Sequence, residues 1–170
     1  MQTIPMHFVG YQNYGPIEKR LENIFDKAFI LEYPQFILGV NEAVCNAARY
    51  SNAGPDKARI SIVVTITNVD IEVVVSCETR AFEAKRYQQW LLELGKSKEY
   101  RDKDWGDYTA DTDRSRGIWY MLTACDFVIY EADGSSVTLS STIPYKGRPV
   151  NSTISTLVQR FMVSDRGVVG

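Results

Sequence analysis

The sequence is poor in histidine and cysteine, and this argues against several kinds of site. His7 is the only histidine, so the sequence offers a single imidazole for a histidine-based metal site or for a Ser–His or Cys–His catalytic pair. The three cysteines, Cys45, Cys77 and Cys125, are odd in number, widely spaced and form no Cys-x-x-Cys pair. This pattern argues against a disulfide framework or a structural zinc site, and it favours a reducing, cytoplasmic compartment.

Long apolar runs and an excess of one charge are also missing. No run approaches the roughly 18 residues that a membrane helix needs, and residues 1–5 lack the features of a signal peptide. The 19 Lys and Arg residues are nearly balanced by 21 Asp and Glu residues, which gives a formal net charge of −2. We therefore expect no membrane or nucleic-acid partner, whereas a protein partner or a small anionic ligand stays open.

What the sequence does contain is a folded domain's share of apolar residues. Its 170 residues, 45% of them apolar, suffice for a substantial core. Apolar spacing predicts helices over residues 17–29, 36–48, 82–94 and 118–125. β-rich segments predict a strand near residues 6–9, a hairpin over 59–67 and 71–76, and closing strands over 127–131 and 136–142. This order predicts an α+β fold, a two-layer α/β sandwich whose mixed, mostly antiparallel sheet carries helices on one face.

Two segments stand outside this pattern. Residues 95–116 contain no Ile, Leu, Val, Phe or Met and hold six basic and six acidic residues, so they predict a surface loop without core residues. Residues 144–170 follow the last predicted strand and are interpreted as a C-terminal extension of a domain over residues 1–143. The extension could dock on the sheet, mediate a homodimer or fray, and one short docking helix is predicted from Ile154, Leu157, Val158 and Phe161.

Two polar motifs interrupt the apolar pattern. Glu42 and Asn46 lie four residues apart on the second predicted helix and therefore share one face. An Asn amide oxygen can ligate Mg²⁺ and a Glu carboxylate can act as a base, although a solvated helix face also explains the pair. Ser115, Arg116 and Gly117 open the helix after the polar loop, where backbone N–H groups can approach phosphate oxygens. An ordinary loop-to-helix junction has a similar composition.

The order of these motifs resembles that of the Bergerat ATP-binding fold of gyrase, heat-shock chaperone, histidine kinase and MutL ATPases. Over residues 6–143 the chain is most similar to the bacterial anti-sigma-factor serine/threonine kinases. Their E-A-V-x-N-A-x pattern resembles residues 42–48, Glu-Ala-Val-Cys-Asn-Ala-Ala, with Tyr50 where His is usual. Their G-R-G-L-x-x-M…D-x-V pattern resembles residues 115–128, and the G-T-x-V turn that ends their domain resembles residues 133–137.

This resemblance implies Mg–ATP as the cofactor and assigns a role to each matching residue. Glu42 would be the catalytic base, and Asn46 would bind the nucleotide and ligate its Mg²⁺. The nucleotide phosphates would be flanked by Ser115, Arg116 and Gly117. Ser135 would contact the nucleotide from the closing turn, and residues 95–116 would form the ATP lid.

The resemblance also implies an activity and partners. The family transfers the γ-phosphate of ATP to a serine of a small antagonist protein, and it sequesters a sigma factor. The expectation is therefore a regulator of transcription in the bacterial cytoplasm that acts through protein partners.

The adenine-binding segment departs from the family's D-x-G-x-G pattern. The Asp of that pattern reads the adenine amino group and its glycines give the nucleotide room, but Cys77, Thr79 and Ala81 stand at those positions here. Losing a charge-assisted hydrogen bond costs about 1.5–3 kcal/mol, roughly ten- to a hundred-fold in affinity. Three interpretations stay open: an ATP-binding kinase or ATPase with altered adenine recognition, a non-catalytic scaffold for protein partners, and an unrelated α/β domain.

Overall fold

A six-stranded mixed sheet forms one layer of the fold. The structure is a computed structural model that describes residues 1–28, 33–80, 82–110, 116–143 and 152–164. Its strands are β1 (Gln2–Val9), β2 (Arg59–Ile66), β3 (Asp70–Cys77), β4 (Phe127–Glu131), β5 (Ser136–Thr142) and β6 (Phe161–Ser164). They are ordered β1-β2-β3-β5-β4-β6, and all neighbours are antiparallel except β4 and β6, which are parallel.

Alternation along the strands gives the sheet one buried face. Ile71 and Val73 of β3 are buried, whereas Glu72 between them is exposed. Successive side chains of a strand point to opposite faces, so apolar residues line up across neighbouring strands on one face. Val73 pairs in this way with Val64 on β2 and with Leu139 on β5. The apolar strand residues thereby form the floor of the core.

Helices form the second layer, over the buried face of the sheet. They are α1 (Tyr14–Ala28), α2 (Tyr33–Arg49), α3 (Ala84–Lys96), α4 (Trp105–Tyr108), α5 (Arg116–Ala124) and α6 (Ile154–Leu157). Their buried side chains join those of the strands in one core cluster, which includes Phe25 of α1, Val44 of α2 and Met121 of α5. None of the described helices combines the length and apolar character that crossing a bilayer requires.

A glycine allows α2 and α5 to pack closely. A Cβ atom added at Gly39 would lie only 3.0 Å from the Cβ of Ala124, near the end of α5. One turn farther along α2, the Glu42 side chain lies against Gly117, at the start of α5. The two helices are therefore antiparallel neighbours, and the first turn of α5 faces the polar residues of α2.

The predicted α+β class and most of its elements are confirmed. The strands predicted at residues 127–131 and 136–142 have the predicted bounds, and the helices and the hairpin differ by a few residues at their ends. β1 begins at Gln2, earlier than predicted, because it pairs with β2 along its whole length. Pro5 breaks the β-rich composition that would have marked its beginning.

The prediction that residues 95–116 carry no core side chain is wrong. They contain α4, whose Trp105 has no exposed surface. The backbone N–H of Trp105 donates to the carbonyl of Ser152 at 2.8 Å, which ties this segment to the C-terminal part of the chain. A buried aromatic side chain removes about 150–250 Å² from water, so a segment without aliphatic residues can still dock on the core through one tryptophan. Residues 111–115 lie outside the described part of the chain.

The C-terminal segment docks on the domain, but not as one helix. Ile154, Leu157 and Val158 are fully buried, and α6 is followed by a short 3-10 turn. Phe161, which was predicted to continue the helix, instead begins β6 and pairs with Val128 of β4. A short apolar run does not by itself distinguish a helix from a buried strand, and here pairing with the sheet edge decides between them.

Candidate functional site

A cavity of about 1100 Å³ opens between α2, the start of α5, the end of β3 and the β4–β5 turn. Ligand pockets for small molecules usually measure 300–1,000 Å³, so this volume suits a ligand of nucleotide size. The lining from α2 and the residue that follows it consists of Glu42, Ala43, Asn46, Ala47, Arg49 and Tyr50. The other polar or aromatic lining residues are Thr79, Arg80, Phe82, Tyr87, Arg116, Tyr120, Tyr130 and Ser135.

The α2 residues reach the cavity because they share one helical face. Their spacing repeats every three to four residues, whereas Val40, Val44 and Ala48 lie on the other face and are buried in the core. From Glu42 to Tyr50 the chain advances eight residues, and an α-helix rises about 12 Å over that length. The helix therefore lays its polar groups in a row along the cavity.

The helical end of the cavity consists of Glu42, Asn46 and Gly117. A Cβ atom added at Gly117 would lie 2.7 Å from Oε2 of Glu42 and 3.4 Å from Nδ2 of Asn46. Only a glycine therefore leaves both side chains their place against the first turn of α5, where backbone N–H groups have no partner within the helix. Neither side chain has a hydrogen bond to another residue in the described part of the chain. Both are thus available to a ligand.

A hydrogen-bonded network fixes α1 beside this end. The Tyr14 hydroxyl donates to Oδ1 of Asn41 at 2.6 Å, and Nδ2 of Asn41 donates to Oε1 of Glu18 at 2.6 Å. Tyr11 lies close by, and its pKa is raised, first by burial and then by Cys45, Glu18 and Glu42. Its phenol therefore stays protonated at neutral pH. The network holds the helix that carries Glu42 without using the Glu42 carboxylate itself.

Arginines give the cavity a positive lining. Arg49, Arg80 and Arg116 all line it, and Glu42 is the only acidic residue among the described lining residues. Arg116 donates from Nη2 to the carbonyl of Ala110 at 3.0 Å, whereas Arg49 and Arg80 have no ion pair with another described residue. Although the whole chain carries a formal charge of −2, the cavity thus favours an anionic ligand.

The strand end of the cavity consists of Thr79, Phe82, Gly134 and Ser135. The Thr79 hydroxyl donates to the carbonyl of Gly134 at 3.2 Å. Gly134 has a φ of +76°, and a Cβ atom there would lie 2.5 Å from the Cβ of Phe82. The N–H and the hydroxyl of Ser135 both donate to Oδ1 of Asp133, at 2.9 and 2.7 Å, and these bonds lower the pKa of that carboxyl. The strand end is therefore stabilised by hydrogen bonds and packing among its own residues.

Aromatic rings cover one wall of the strand end. The Phe82 ring lies 5.5 Å from that of Tyr87 and 5.3 Å from that of Tyr130, measured between centroids. All three residues line the cavity. A flat apolar ligand group could stack on this wall, since aromatic faces accept planar rings of many kinds.

Cys77 is not on the cavity lining, although the sequence predicted it as a nucleotide contact. Its side chain is 7% exposed, and its Sγ lies 3.8 Å from the carbonyl oxygen of Glu78. Burial raises the pKa of the thiol, so it remains a neutral, weak hydrogen-bonding group at neutral pH. Val75 and Thr79, two residues away on either side, do reach the cavity.

The structure brings most of the other predicted site residues together. Those on the cavity lining are Glu42, Asn46, Thr79, Arg116, Gly117 and Ser135. Ala81 and Ser115 lie outside the described residues. Sequence reasoning missed Arg49 and Arg80; extending the Glu42–Asn46 spacing by one more turn would have found Arg49, but no local pattern singles out Arg80.

A metal bound by the protein alone has no support in the described residues, which contain no group of three His, Cys, Asp or Glu side chains suited to hold an ion. Mg²⁺ that arrives with phosphates needs only one or two protein oxygens. The free amide of Asn46, beside the Glu42 carboxylate, satisfies that smaller requirement.

Comparison with known proteins adds nothing to this geometry. No protein-family model matches the sequence, and no curated protein matches it. The chemistry of the cavity must therefore be inferred from its own residues.

Proposed function

We propose that the cavity binds Mg–ATP and that the chain is a regulatory domain of the Bergerat type, similar to an anti-sigma-factor serine/threonine kinase. The observation that carries this proposal is the meeting of Glu42, Asn46 and Gly117 at the first turn of α5. Gly117 lies 71 positions beyond Asn46 along the chain, so no local pattern brings it to the Glu42–Asn46 pair. The resemblance in sequence assigned all three to the same nucleotide site.

The helical end would hold the phosphates. Backbone N–H groups of the first turn of α5 and the guanidinium of Arg116 supply donors and positive charge. The amide oxygen of Asn46 would ligate the Mg²⁺ that accompanies the phosphates. ATP would supply the phosphoryl group for transfer, and its ion would neutralise charge that develops on the phosphate oxygens.

Glu42 would act as the base of a kinase reaction. Its carboxylate would accept the proton of a serine hydroxyl while the serine oxygen bonds to the γ-phosphorus and ADP leaves. The carboxylate is half-buried and has no hydrogen bond to a described residue, so it is not committed to a structural contact. Positioning of the two reactants by the cavity would supply the rest of the catalysis.

The partner of such a reaction would be a protein. In the proposed role, the domain phosphorylates a small antagonist protein, binds a sigma factor and thereby regulates transcription in the bacterial cytoplasm.

A scaffold without nucleotide is the second candidate, and one observation favours it. At the strand end, Cys77 does not reach the cavity, and Phe82 packs against Gly134. In this alternative the fold is kept for binding protein partners, and the positive lining receives an acidic side chain of a partner instead of phosphates.

Calorimetry and thermal unfolding with Mg–ATP and Mg–ADP test the proposal. A ligand at 100 times its Kd stabilises the native state by about 2.7 kcal/mol, which raises the Tm of a chain of this size by about 5–10 °C. Asn46→Ala should abolish the shift, because the ion loses its protein ligand. Asn23→Ala, at an exposed position of α1, is the matched control and should leave the shift intact. No shift at millimolar Mg–ATP would discard ATP binding and favour the scaffold.

A further inference from the structure

We infer that the strand end of the cavity selects a 6-oxopurine nucleotide over an adenine nucleotide, through the guanidinium of Arg80. The inference rests on the proposed function, because it assumes that a nucleotide enters with its phosphates at the helical end. It concerns only which base the other end prefers.

Position along α2 places Arg80 at the base. The N–H of Arg80 donates to the carbonyl of Tyr50 at 2.8 Å, so the two residues lie side by side. Tyr50 is eight residues beyond Glu42, about 12 Å along the helix axis. A nucleotide whose phosphates lie beside Gly117 therefore extends its base toward Arg80, Thr79 and the aromatic wall.

No carboxylate is available at the strand end to accept the 6-amino group of adenine. Among the described lining residues, the one acid is Glu42, and it lies at the helical end. Asp133 lies in the turn but is not on the cavity lining, and its Oδ1 accepts two hydrogen bonds from Ser135. Glu78 is exposed and is not on the lining, and the thiol of Cys77 is buried away from it.

Arg80, in contrast, offers several unused donors. A guanidinium carries five N–H groups and no acceptor, and that of Arg80 has no ion pair with a described residue. It can donate to O6 and N7 of a 6-oxopurine at once, which is the commonest specific contact between arginine and a base. Adenine presents N7 beside its 6-amino group on the same edge. A second N–H of the Arg80 guanidinium would therefore face another donor instead of an acceptor.

Neutral oxygens at the strand end do not reverse this preference. The hydroxyls of Thr79 and Ser135 donate to Gly134 and Asp133, which leaves their lone pairs as acceptors for an amino group. Hydrogen bonds to a charged group are about twice as strong as those between neutral groups. The bidentate contact from Arg80 therefore outweighs a single neutral acceptor. The Phe82 and Tyr130 rings stack with either base and do not discriminate.

Calorimetry with Mg–ITP and Mg–ATP tests the preference on the full chain. The purine rings of the two nucleotides differ only in the 6-oxo or 6-amino group and in the proton at N1. A bidentate arginine contact changes base preference by about ten-fold or more, so we expect Mg–ITP to bind at least ten-fold more tightly. Mg–GTP, which keeps O6 and N7 and adds the 2-amino group, should show the same preference.

Arg80→Gln is the decisive variant. A glutamine amide pairs bidentately with N6 and N7 of adenine, so the variant should bind Mg–ATP at least as tightly as Mg–ITP. Arg86→Gln removes the same charge from a side chain that is 86% exposed and outside the cavity lining, and it should keep the wild-type ratio. Arg80→Lys keeps the charge and can donate to O6 but lacks the planar fork, so it should reduce the ratio without abolishing it while retaining overall affinity.

The outcomes separate this inference from the proposed function. Tighter binding of Mg–ITP that disappears in Arg80→Gln and is no stronger in Arg80→Lys than in the wild type supports it. Equal or tighter binding of Mg–ATP by the wild type overturns it and leaves nucleotide binding standing. An oxopurine preference that survives both Arg80 variants overturns the assignment to Arg80. Binding of neither nucleotide overturns the proposed function, and the inference with it.

Discussion

The helical end and the strand end of the cavity hold their residues in different ways. At the helical end, Glu42 and Asn46 project from a stable helix and make no hydrogen bond to another described residue. At the strand end, Thr79 is bonded to the carbonyl of Gly134, and Gly134 packs directly on Phe82. The first end keeps its polar groups free, whereas the second uses its polar groups to hold its own shape.

This difference separates binding from stability. Buried or close contacts stabilise a fold, and their loss appears in the free energy of unfolding. Polar groups without partners add little to that free energy, but they are the groups a ligand can meet. Substitutions at the strand end should therefore lower stability first, and substitutions at the helical end should lower ligand affinity while leaving the fold intact.

Gly134→Ala should produce the largest loss of stability. Gly134 has a φ of +76°, and the added Cβ would lie 2.5 Å from the Cβ of Phe82, a contact that only a backbone shift relieves. The left-handed conformation costs an Ala about 1–2 kcal/mol and overpacking costs a further 1–3 kcal/mol. We expect a Tm that is lower by about 5–15 °C in thermal unfolding.

Gly54→Ala is the matched control for Gly134→Ala. Gly54 has a φ of +80°, but no atom lies within 4 Å of its added Cβ, so only the conformational cost remains. Gly54 has a ψ of 164°, so a loss of stability that is larger in Gly134→Ala than in Gly54→Ala indicates the Phe82 contact without isolating its free energy. Equal losses in the two variants would show that the strand end is not closely packed, and the contrast between the two ends would fail.

The sequence predicted the elements around the cavity better than the contacts inside it. Period-two and helical patterns found β2, β3, β5 and most of α2, because these elements bury one face and expose the other. The i, i+4 spacing of Glu42 and Asn46 placed them on one helix face, and the cavity lining agrees. The spacing could not predict the antiparallel packing of α5 on α2. That packing depends on the close contact of Gly39 with Ala124, which lies 85 positions later in the chain.

Two other features escaped the sequence for physical reasons. Trp105 lies in a segment without aliphatic residues, and only its partner Ser152, 47 positions later, reveals that the segment is docked. Arg80 follows β3 in an irregular segment, where neither the helical nor the strand period says which way a side chain points. Long-range contacts of single residues leave no periodic signal in the sequence.

Gly117→Ala should affect binding and not stability. Its Cβ would lie 2.7 Å from Oε2 of Glu42, the end of a flexible side chain that can move away at little cost. Ala is at least as favourable as Gly in a helix, so the free energy of unfolding should change by less than about 1 kcal/mol. The displaced carboxylate no longer lies beside Asn46, and we expect the affinity for Mg–nucleotide to fall about ten-fold, or about 1.4 kcal/mol.

A double-variant cycle sharpens this second prediction. In a Glu42→Ala background the Cβ at position 117 has no carboxylate to displace, so adding Gly117→Ala should no longer lower the affinity. A full ten-fold loss in that background would mean that the Cβ blocks the ligand directly. A large loss of stability in the single variant would show that the helical end is as tightly packed as the strand end.

The smallest expected effect concerns the pH dependence of the strand end. Hydrogen bonds from the N–H and the hydroxyl of Ser135 lower the pKa of Asp133 in the folded state. A carboxyl whose folded pKa lies below its unfolded value of about 3.9 stabilises the fold above that value, and the stabilisation is lost as the pH falls through the folded pKa. Because Asp133 is exposed, solvent screening should limit the contribution to about 0.5 kcal/mol or less.

Urea unfolding of wild type and Asp133→Asn between pH 2 and 6 measures this contribution. The curves of unfolding free energy against pH should converge at the acid end. The curve of Ser135→Ala, which keeps the N–H donor, should fall between them. Curves that stay parallel over the whole range would show that the Asp133 carboxylate does not stabilise the turn, and that the strand end depends on the Thr79–Gly134 hydrogen bond and the Gly134–Phe82 contact.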